Sequence, residues 1–192
     1  MKRFFSKAAF VVAFASMASI GHAQVMSVNS GTTTVTLNAA FINSIGAIIT
    51  DLQGNPLQNN SIVFTGVAGA LDLQTAAGEI EHKGGMIINA GGMVIRLENF
   101  TLDTHYPPTA VISAEFIMNG HYDFRLPLFT VQPPPGFMIP LTLLPSGALQ
   151  QNNLILSIAP ETAATFYALF GGPVIQPGQY AGTANSYIVF SN

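Results

Sequence analysis

The chain has 192 residues with no cysteine and no tryptophan, and only 8% of its residues are charged. The lack of cysteine excludes a disulfide framework and a thiolate metal site. Because so few residues are charged, neutral polar residues must cover most of the surface. Such a surface is explained either by ordinary exposed strands with neutral polar side chains or by self-association or contact with a cell-envelope component.

The first 23 residues have the pattern of a cleavable secretory signal peptide. Three basic side chains lie within residues 1–7, Ala8–Ile20 is uncharged and mostly apolar, and Gly21-His22-Ala23 supplies small residues before the cut. The apolar run is shorter than the roughly 20 residues that cross a bilayer. We expect cleavage between Ala23 and Gln24. The delivered protein is then secreted, periplasmic or on the cell surface, without a transmembrane helix.

Removal of this segment leaves an acidic domain. The whole chain has six basic and nine acidic residues, and three of the basic ones lie within the signal, so residues 24–192 have a net charge of −6. Only Lys83, Arg96 and Arg125 remain, whereas a phosphate-binding surface needs clustered basic side chains. Nucleic acid is excluded as a partner. No repeat or long linker divides residues 24–192, which predicts a single domain.

Two short amphipathic helices are predicted. Leu37, Phe41 and Ile45 recur every four residues, and Gly46 follows as a stop. The second helix, Ala159–Phe170, has a proline in its first turn and an apolar stripe that faces a sheet. The stripe consists of Ala163, Phe166, Tyr167 and Phe170.

The rest of the chain alternates between apolar and polar residues or breaks at turns. A hairpin is predicted from 86–88 to 93–95 around Gly91-Gly92, with a bulge near Glu98-Asn99 that keeps one face apolar. Further strands are expected near 47–53, 61–65, 69–74, 78–82, 137–144, 153–158 and 180–190. Many short strands predict a mainly β fold, an antiparallel β-sandwich or open barrel with the two helices packed on it.

A second hairpin is predicted around Asn119-Gly120. A two-residue loop there would place apolar residues of one strand opposite charged residues of the other, such as Phe116 opposite Asp123. A three-residue loop of residues 119–121 would force His121 to a positive φ. A three-residue loop of Met118-Asn119-Gly120, with Phe116 opposite Tyr122, is therefore favoured.

No catalytic or metal-binding spacing is present in the sequence. The histidines do not follow H-x-x-x-H, and G-x-S-x-G is absent, so we predict neither an enzyme nor a metal site. Glu79 and Glu81 share one face of a strand, with His82 on the other face. The pairs His105-Tyr106 and His121-Tyr122 are candidates for binding a flat ligand. The favoured alternative is that His105 and His121 are polar residues at loop ends and that Tyr122 packs inward.

Several short motifs together resemble a known family. They are Thr34–Ile45, Gly78–Met86 with its Gly-Glu-Ile-Glu-His-Lys-Gly-Gly-Met run, Ile95–Phe100, Leu126–Phe129 and Gly178–Thr183. In this order they resemble the HtaA-type domains of bacterial haem-uptake proteins, and secreted bacterial β-domain proteins of unknown function with the same layout. The resemblance covers nearly all of residues 24–192.

The resemblance implies haem held by a tyrosine of the first helix and a histidine in a His-x-Gly segment. His82-Lys83-Gly84 matches the second feature, but Ser44 stands where the tyrosine would fall. His82 is then either a ligand or a core-facing histidine beside a glycine turn, and the missing phenolate favours the second interpretation.

The sequence thus predicts a secreted or cell-surface, non-catalytic β domain with a structural or interaction role and no cofactor. The alternative is a binder of haem or another flat apolar ligand, with His82, Tyr106 and Tyr122 as the ligand-binding residues.

Overall fold

The computed structural model describes residues 24–106, 109–172 and 174–191, and omits the side chains of residues 106, 109, 122 and 123. The predicted signal peptide and Ala23 lie outside the described residues. Within the described ranges the helices are α1 (Ala39–Ile45) and α2 (Pro160–Phe170). The strands are β1 (Val25–Leu37), β2 (Ile48–Asp51), β3 (Ser61–Asp72), β4 (Gly78–Ala90), β5 (Met93–Tyr106), β6 (Thr109–Met118), β7 (His121–Gln132), β8 (Ala148–Ile158) and β9 (Tyr180–Phe190).

Eight of these strands form a closed antiparallel barrel in the order β4-β3-β1-β9-β8-β7-β6-β5, and β5 pairs back onto β4. β2 pairs with β4 along Met86–Asn89, beyond the stretch where β3 is paired. The mainly β, antiparallel fold is confirmed, but the barrel is closed rather than open or split into two sheets. Closure removes the unpaired strand edges that an open sheet would expose.

The barrel interior contains two apolar clusters. The larger lies under α1 and α2 and includes Phe116, Ile95 and Leu126. The smaller lies at the opposite end, where Leu71, Ile80 and Ile188 meet. Among the described residues, no helix is long and apolar enough to cross a membrane.

Both predicted helices are present. α1 begins after Asn38 and ends at Gly46, and α2 ends at Gly171; both glycines adopt the left-handed conformation. The prediction that the apolar stripe of α2 faces the sheet is only partly confirmed. Ala163 and Phe166 are buried, but Tyr167 is 57% exposed because α2 contacts the barrel along a narrower face.

The N-cap of α1 gives a first testable prediction. The Asn38 side chain accepts a hydrogen bond from the Phe41 backbone N–H at 3.1 Å. Asn38→Ala removes this cap, so we expect a loss of about 1 kcal/mol in the free energy of unfolding, measured by urea titration. Asn43→Ala, an exposed change within the same helix, is the matched control. An equal loss in both variants would contradict the capping role.

Two strand predictions are confirmed by the register. Ala90 pairs with Met93, so Gly91-Gly92 is the turn of the β4–β5 hairpin. Asn99 has a φ of 51°, and the β5–β6 register shifts between Glu98 and Thr101, as the alternation of apolar residues requires.

The predicted three-residue loop at the β6–β7 turn is wrong. Met118 pairs with His121, so the loop is Asn119-Gly120, and both loop residues have positive φ as a type I′ turn requires. The mixing of faces is avoided by a bulge, because the register shifts after Ile117–Tyr122 and Phe116 then faces Phe124.

Three strand predictions also change. Residues 61–65 and 69–74 belong to one strand, β3, which continues through a bulge after Thr65. β1 was missed because its Thr- and Ser-rich run lacks a clear apolar alternation. Residues 137–144 form no strand, because Pro140 and Pro145 supply no backbone N–H to a ladder.

Candidate functional site

His82 points into the barrel between the two apolar clusters. It lies on β4 opposite Phe100 and is only 7% exposed. The Phe64 ring meets the imidazole edge-on, with centroids 6.3 Å apart. The predicted alternation of β4 is confirmed, since Glu79 and Glu81 are exposed while Ile80 and His82 are buried.

A chain of hydrogen bonds extends from His82 across the interior. Thr33 Oγ1 lies 2.8 Å from His82 Nε2 and 2.8 Å from Ser186 Oγ. Thr33 and Ser186 are also buried, on β1 and β9. Along β9 the inward neighbours of Ser186 are Ala184 of the larger cluster and Ile188 of the smaller one. The three side chains thus form a polar layer between two apolar ends.

Burial fixes the charge of this layer. Desolvation lowers the pKa of His82 from 6.5 to about 4, although the backbone carbonyls of Ile80 and Phe100 oppose this by favouring the protonated ring. His82 is therefore neutral at neutral pH. Its ring then has one N–H donor and one acceptor nitrogen.

A cavity of about 400 Å³ occupies the end of the barrel that contains the smaller apolar cluster. Its lining is almost entirely apolar, with three polar side chains. The lining residues are Leu71, Ala76, Ile80, Leu102, Thr104, Ala110, Val131, Pro133, Phe137, Ile139, Leu141, Leu149, Gln151, Leu154, Ser186 and Ile188. A space of about 40 Å³ beside His82 shares Leu102, Val131, Leu154 and Ser186 with it. Ser186 therefore joins the cavity to the polar layer.

The long connection between β7 and β8, residues 133–147, forms one wall of this cavity. Phe137, Ile139 and Leu141 line it, and the Leu141 N–H donates to the Leu73 carbonyl at 2.7 Å. Met138, between two lining residues, is 75% exposed. The three consecutive prolines 133–135 thus begin a segment that places apolar side chains both inside and outside the cavity.

The three sequence-predicted ligand residues do not share one level of the barrel. Tyr106 ends β5, six residues beyond the partner of His82, and Tyr122 pairs with Ile117, which in turn pairs with Arg96. Arg96 and Tyr106 are ten residues apart on β5, roughly 30 Å along a strand. The side chains of both tyrosines lie outside the described residues.

A group of titratable side chains lies on the outer face of the barrel. Glu79 pairs with Asp103, and the Asp103 carboxylate lies 2.8 Å from His105 Nδ1, so that one potential ligand atom from each of the three residues falls within 4.8 Å of the others. The pKa of Asp103 is lowered, first by a hydrogen bond from the His105 backbone. The group was not predicted from the sequence, because Glu79 lies far from Asp103 and His105 in the chain and approaches them only through the pairing of β4 with β5. Exposed acidic groups are common without an ion, so the geometry alone does not define a metal centre.

The residues implied by the resemblance do not fit haem held by His82. Ser44 is exposed on α1, and its hydroxyl donates to the Phe41 carbonyl at 2.7 Å. His82 Nε2 is occupied by Thr33, and the adjacent space of about 40 Å³ is far smaller than a porphyrin. Among the described residues that line the larger cavity there is no His, Tyr, Met or Cys to ligate iron.

The fold and the site define a class: an antiparallel barrel domain with an apolar cavity at one end and a buried polar layer behind it. Its structure is similar to the C-terminal domain of HtaA from Corynebacterium glutamicum, with a TM-score of 0.65 and 15% identity over 86% of this chain and 99% of that chain. It is also similar to the domain-swapped dimer of a histidine-to-alanine variant of that domain, with a TM-score of 0.53 and 14% identity over 77% and 86%. No protein-family model and no curated protein matches the chain. The HtaA-type resemblance is confirmed at the level of the fold.

Thr33 and Ser186 are the site residues that sequence analysis missed. Ser186 was detectable, because it shares the parity of Ala184, Ile188 and Phe190 in the predicted strand 180–190 and is the polar member of an apolar face. Thr33 lies on the missed strand β1, so its inward position had no signal.

Proposed function

We propose that this protein is an exported, non-catalytic domain that binds a small apolar ligand in the cavity at the end of its barrel. The observation that supports this proposal is the cavity itself. Its volume of about 400 Å³ is far above the voids of a close-packed interior. It lies within the range of about 300–1,000 Å³ that small-molecule sites occupy.

The chemistry of the lining supports an uncharged ligand. No Asp, Glu, Lys or Arg is among the described residues that line the cavity. A charged group placed there would lose its hydration without gaining an ion pair. The polar side chains are few and placed to orient a ligand, with Ser186 at the inner wall and Gln151 opposite it on β8. The structural or interaction role expected from the charge-poor surface stays a prediction.

Pyrene, a flat hydrocarbon fluorophore without polar atoms, tests this proposal. We expect saturable binding at one site, seen as a change in the ratio of its emission bands on leaving water. Ala110→Phe fills part of the cavity with a side chain that points inward from β6. If the new ring displaces contacts equivalent to two methylene groups, affinity falls about tenfold.

Val111→Phe is the matched control. It adds the same ring at the next position of the same strand, where the side chain points to the other face. Equal pyrene affinity in both variants, or no saturable binding by the unchanged protein, would overturn the proposal.

A haem titration separates this proposal from the haem-binding alternative. We expect no Soret shift that depends on His82, because its Nε2 is hydrogen-bonded to Thr33 in a space too small for a porphyrin. A shift that His82→Ala abolishes would instead support haem ligation.

A further inference from the structure

Gln151 is a polar side chain in the cavity wall for which the fold supplies no partner. It lies on β8 between Leu149 and Leu154, and all three side chains line the cavity. Its amide makes no hydrogen bond to another residue that the structure describes. No buried polar side-chain atom in that part of the chain lacks a partner, so the amide of this half-buried residue is open to solvent and to a ligand. This inference rests on the proposed function, because it concerns which ligand the cavity accepts.

The other two polar side chains of the lining are held by the fold itself. The Thr104 hydroxyl donates to the Ala76 carbonyl at 2.6 Å. The Ser186 hydroxyl lies 2.8 Å from the Thr33 hydroxyl within the polar layer. Gln151 has no such bond, and an amide that faces an apolar space lowers stability unless something hydrogen-bonds to it. A ligand explains a glutamine at this position, whereas the packing of the barrel does not.

The Gln151 amide belongs to the inner part of the cavity. Gln151 pairs with Ser186 across the β8–β9 ladder, and the next inward pair towards the smaller apolar cluster is Leu149 with Ile188. Side chains directly opposite each other on paired strands lie about 5 Å apart at their Cβ atoms. Gln151 and Ser186 therefore form one polar spot on a wall that is otherwise apolar. A ligand bound there needs a polar group at one end only.

We infer that the cavity takes a neutral, single-chain amphiphile whose polar end is a primary carboxamide paired with the Gln151 amide. The glutamine amide has N–H donors and a carbonyl acceptor side by side. A carboxamide presents the complementary donor and acceptor, so the two groups form two parallel hydrogen bonds. An ester of the same chain only accepts and makes one. A hydroxyl has a single oxygen and cannot meet both groups at once, and a carboxylate finds no cation in the described lining.

Displacement of bound pyrene by decanamide and by methyl decanoate tests the inference. Both ligands are measured on the unchanged protein and on Gln151→Leu, which removes the amide and keeps an apolar side chain of similar size. The preference for decanamide over the ester is expected to fall about fivefold in the variant, the effect of the one hydrogen bond that the ester cannot make. The different hydration of the two ligands in water cancels, because the same pair is compared on both proteins.

The stability of the same variant gives a readout that a purely structural role would not produce. Gln151→Leu replaces an amide without a protein partner by a side chain that matches Leu149 and Leu154, so its urea midpoint is expected to rise while the preference for decanamide falls. Gln150→Leu is the matched control, since it makes the same change at the preceding, exposed position of β8. This control is expected to leave the preference unchanged. Gln151→Met, which keeps the unbranched stem of glutamine, is expected to behave as Gln151→Leu and decides the question should the leucine variant fail to fold.

The outcomes separate the two proposals. Absence of saturable pyrene binding overturns the proposed function. If pyrene binds, a preference for decanamide that survives both changes at Gln151, or that falls equally in Gln150→Leu, overturns the inference alone. A lower urea midpoint in both Gln151 variants does the same, because it would mean that the amide has a partner within the protein.

Discussion

Replacing Phe116 with alanine is expected to lower the free energy of unfolding by about 3–5 kcal/mol, the usual cost of removing a buried phenylalanine side chain. Phe116 is 1% exposed and belongs to the large cluster under the helices. Its ring stacks on that of Phe124, with centroids 5.3 Å apart. The barrel wall around it is held by paired strands, so it cannot collapse to fill the space. Urea titration followed by far-ultraviolet circular dichroism measures the loss, since the chain has no tryptophan.

Phe124→Ala is the matched control, because it removes the same ring from the other member of the stacked pair. Phe124 is 41% exposed, so its truncation leaves less of a cavity and is expected to cost about 1 kcal/mol. Equal losses in the two variants would mean that Phe116 is not the buried member of the pair in solution.

Acid is expected to destabilise the barrel through His82. Its pKa is about 4 in the folded protein and 6.5 without the fold, so between these values the unfolded chain binds more protons. The free energy of unfolding is therefore at its full value above pH 6.5. It falls as the pH drops from 6.5 towards 4, and this effect levels off below pH 4. The total loss from this group is about 3 kcal/mol.

His82→Gln isolates this contribution, because glutamine does not titrate in this range and its amide can still meet Thr33. The pH dependence between 6.5 and 4 is expected to be weaker in this variant by that amount. His121→Gln, at an exposed position, serves as control and should keep the dependence. If His82→Gln and the unchanged protein respond identically to pH, the imidazole is not buried as neutral.

Protonation of carboxylates also changes the free energy of unfolding in acid. This change is the same in the unchanged protein and in His82→Gln, so it cancels when the two are compared. Hydrogen bonds lower the pKa of Asp51, chiefly from the Asn55 side chain, and of Asp72, chiefly from the Gln74 backbone. Their contribution is lost as the pH falls below the usual range of aspartate, equally in every variant. The difference between the unchanged protein and His82→Gln therefore reports the histidine.

Local features of the fold were predictable because short-range chemistry determines them. Gly46 and Gly171 adopt the left-handed conformation that ends each predicted helix. The bulge at Asn99 followed from the requirement that one face of β5 stay apolar. The β6–β7 register failed because it depends on a bulge in the partner strand, and apolar spacing does not show which strand absorbs the extra residue.

The site was only half predictable, for a related reason. His82 was predicted as a candidate because His82-Lys83-Gly84 matches the His-x-Gly segment of the family that the sequence resembles. What it does depends on Thr33 and Ser186, which lie 49 and 104 residues away in the chain and meet it only when β1, β4 and β9 face one interior. Tyr106 and Tyr122 were chosen from their neighbours in sequence, but strand pairing aligns Tyr122 on β7 with Arg96 on β5, which is ten residues from Tyr106.

The sequence by itself determined that this is a charge-poor, cysteine-free, mainly antiparallel β domain with two capped helices, because composition, alternation and glycine stops act over a few residues. Only the tertiary structure decided that the barrel closes, that its end holds an apolar cavity, and that a polar layer lies behind that cavity. These features arise from pairing and facing between strands far apart in the chain, and no local pattern of residues specifies which strands meet across an interior.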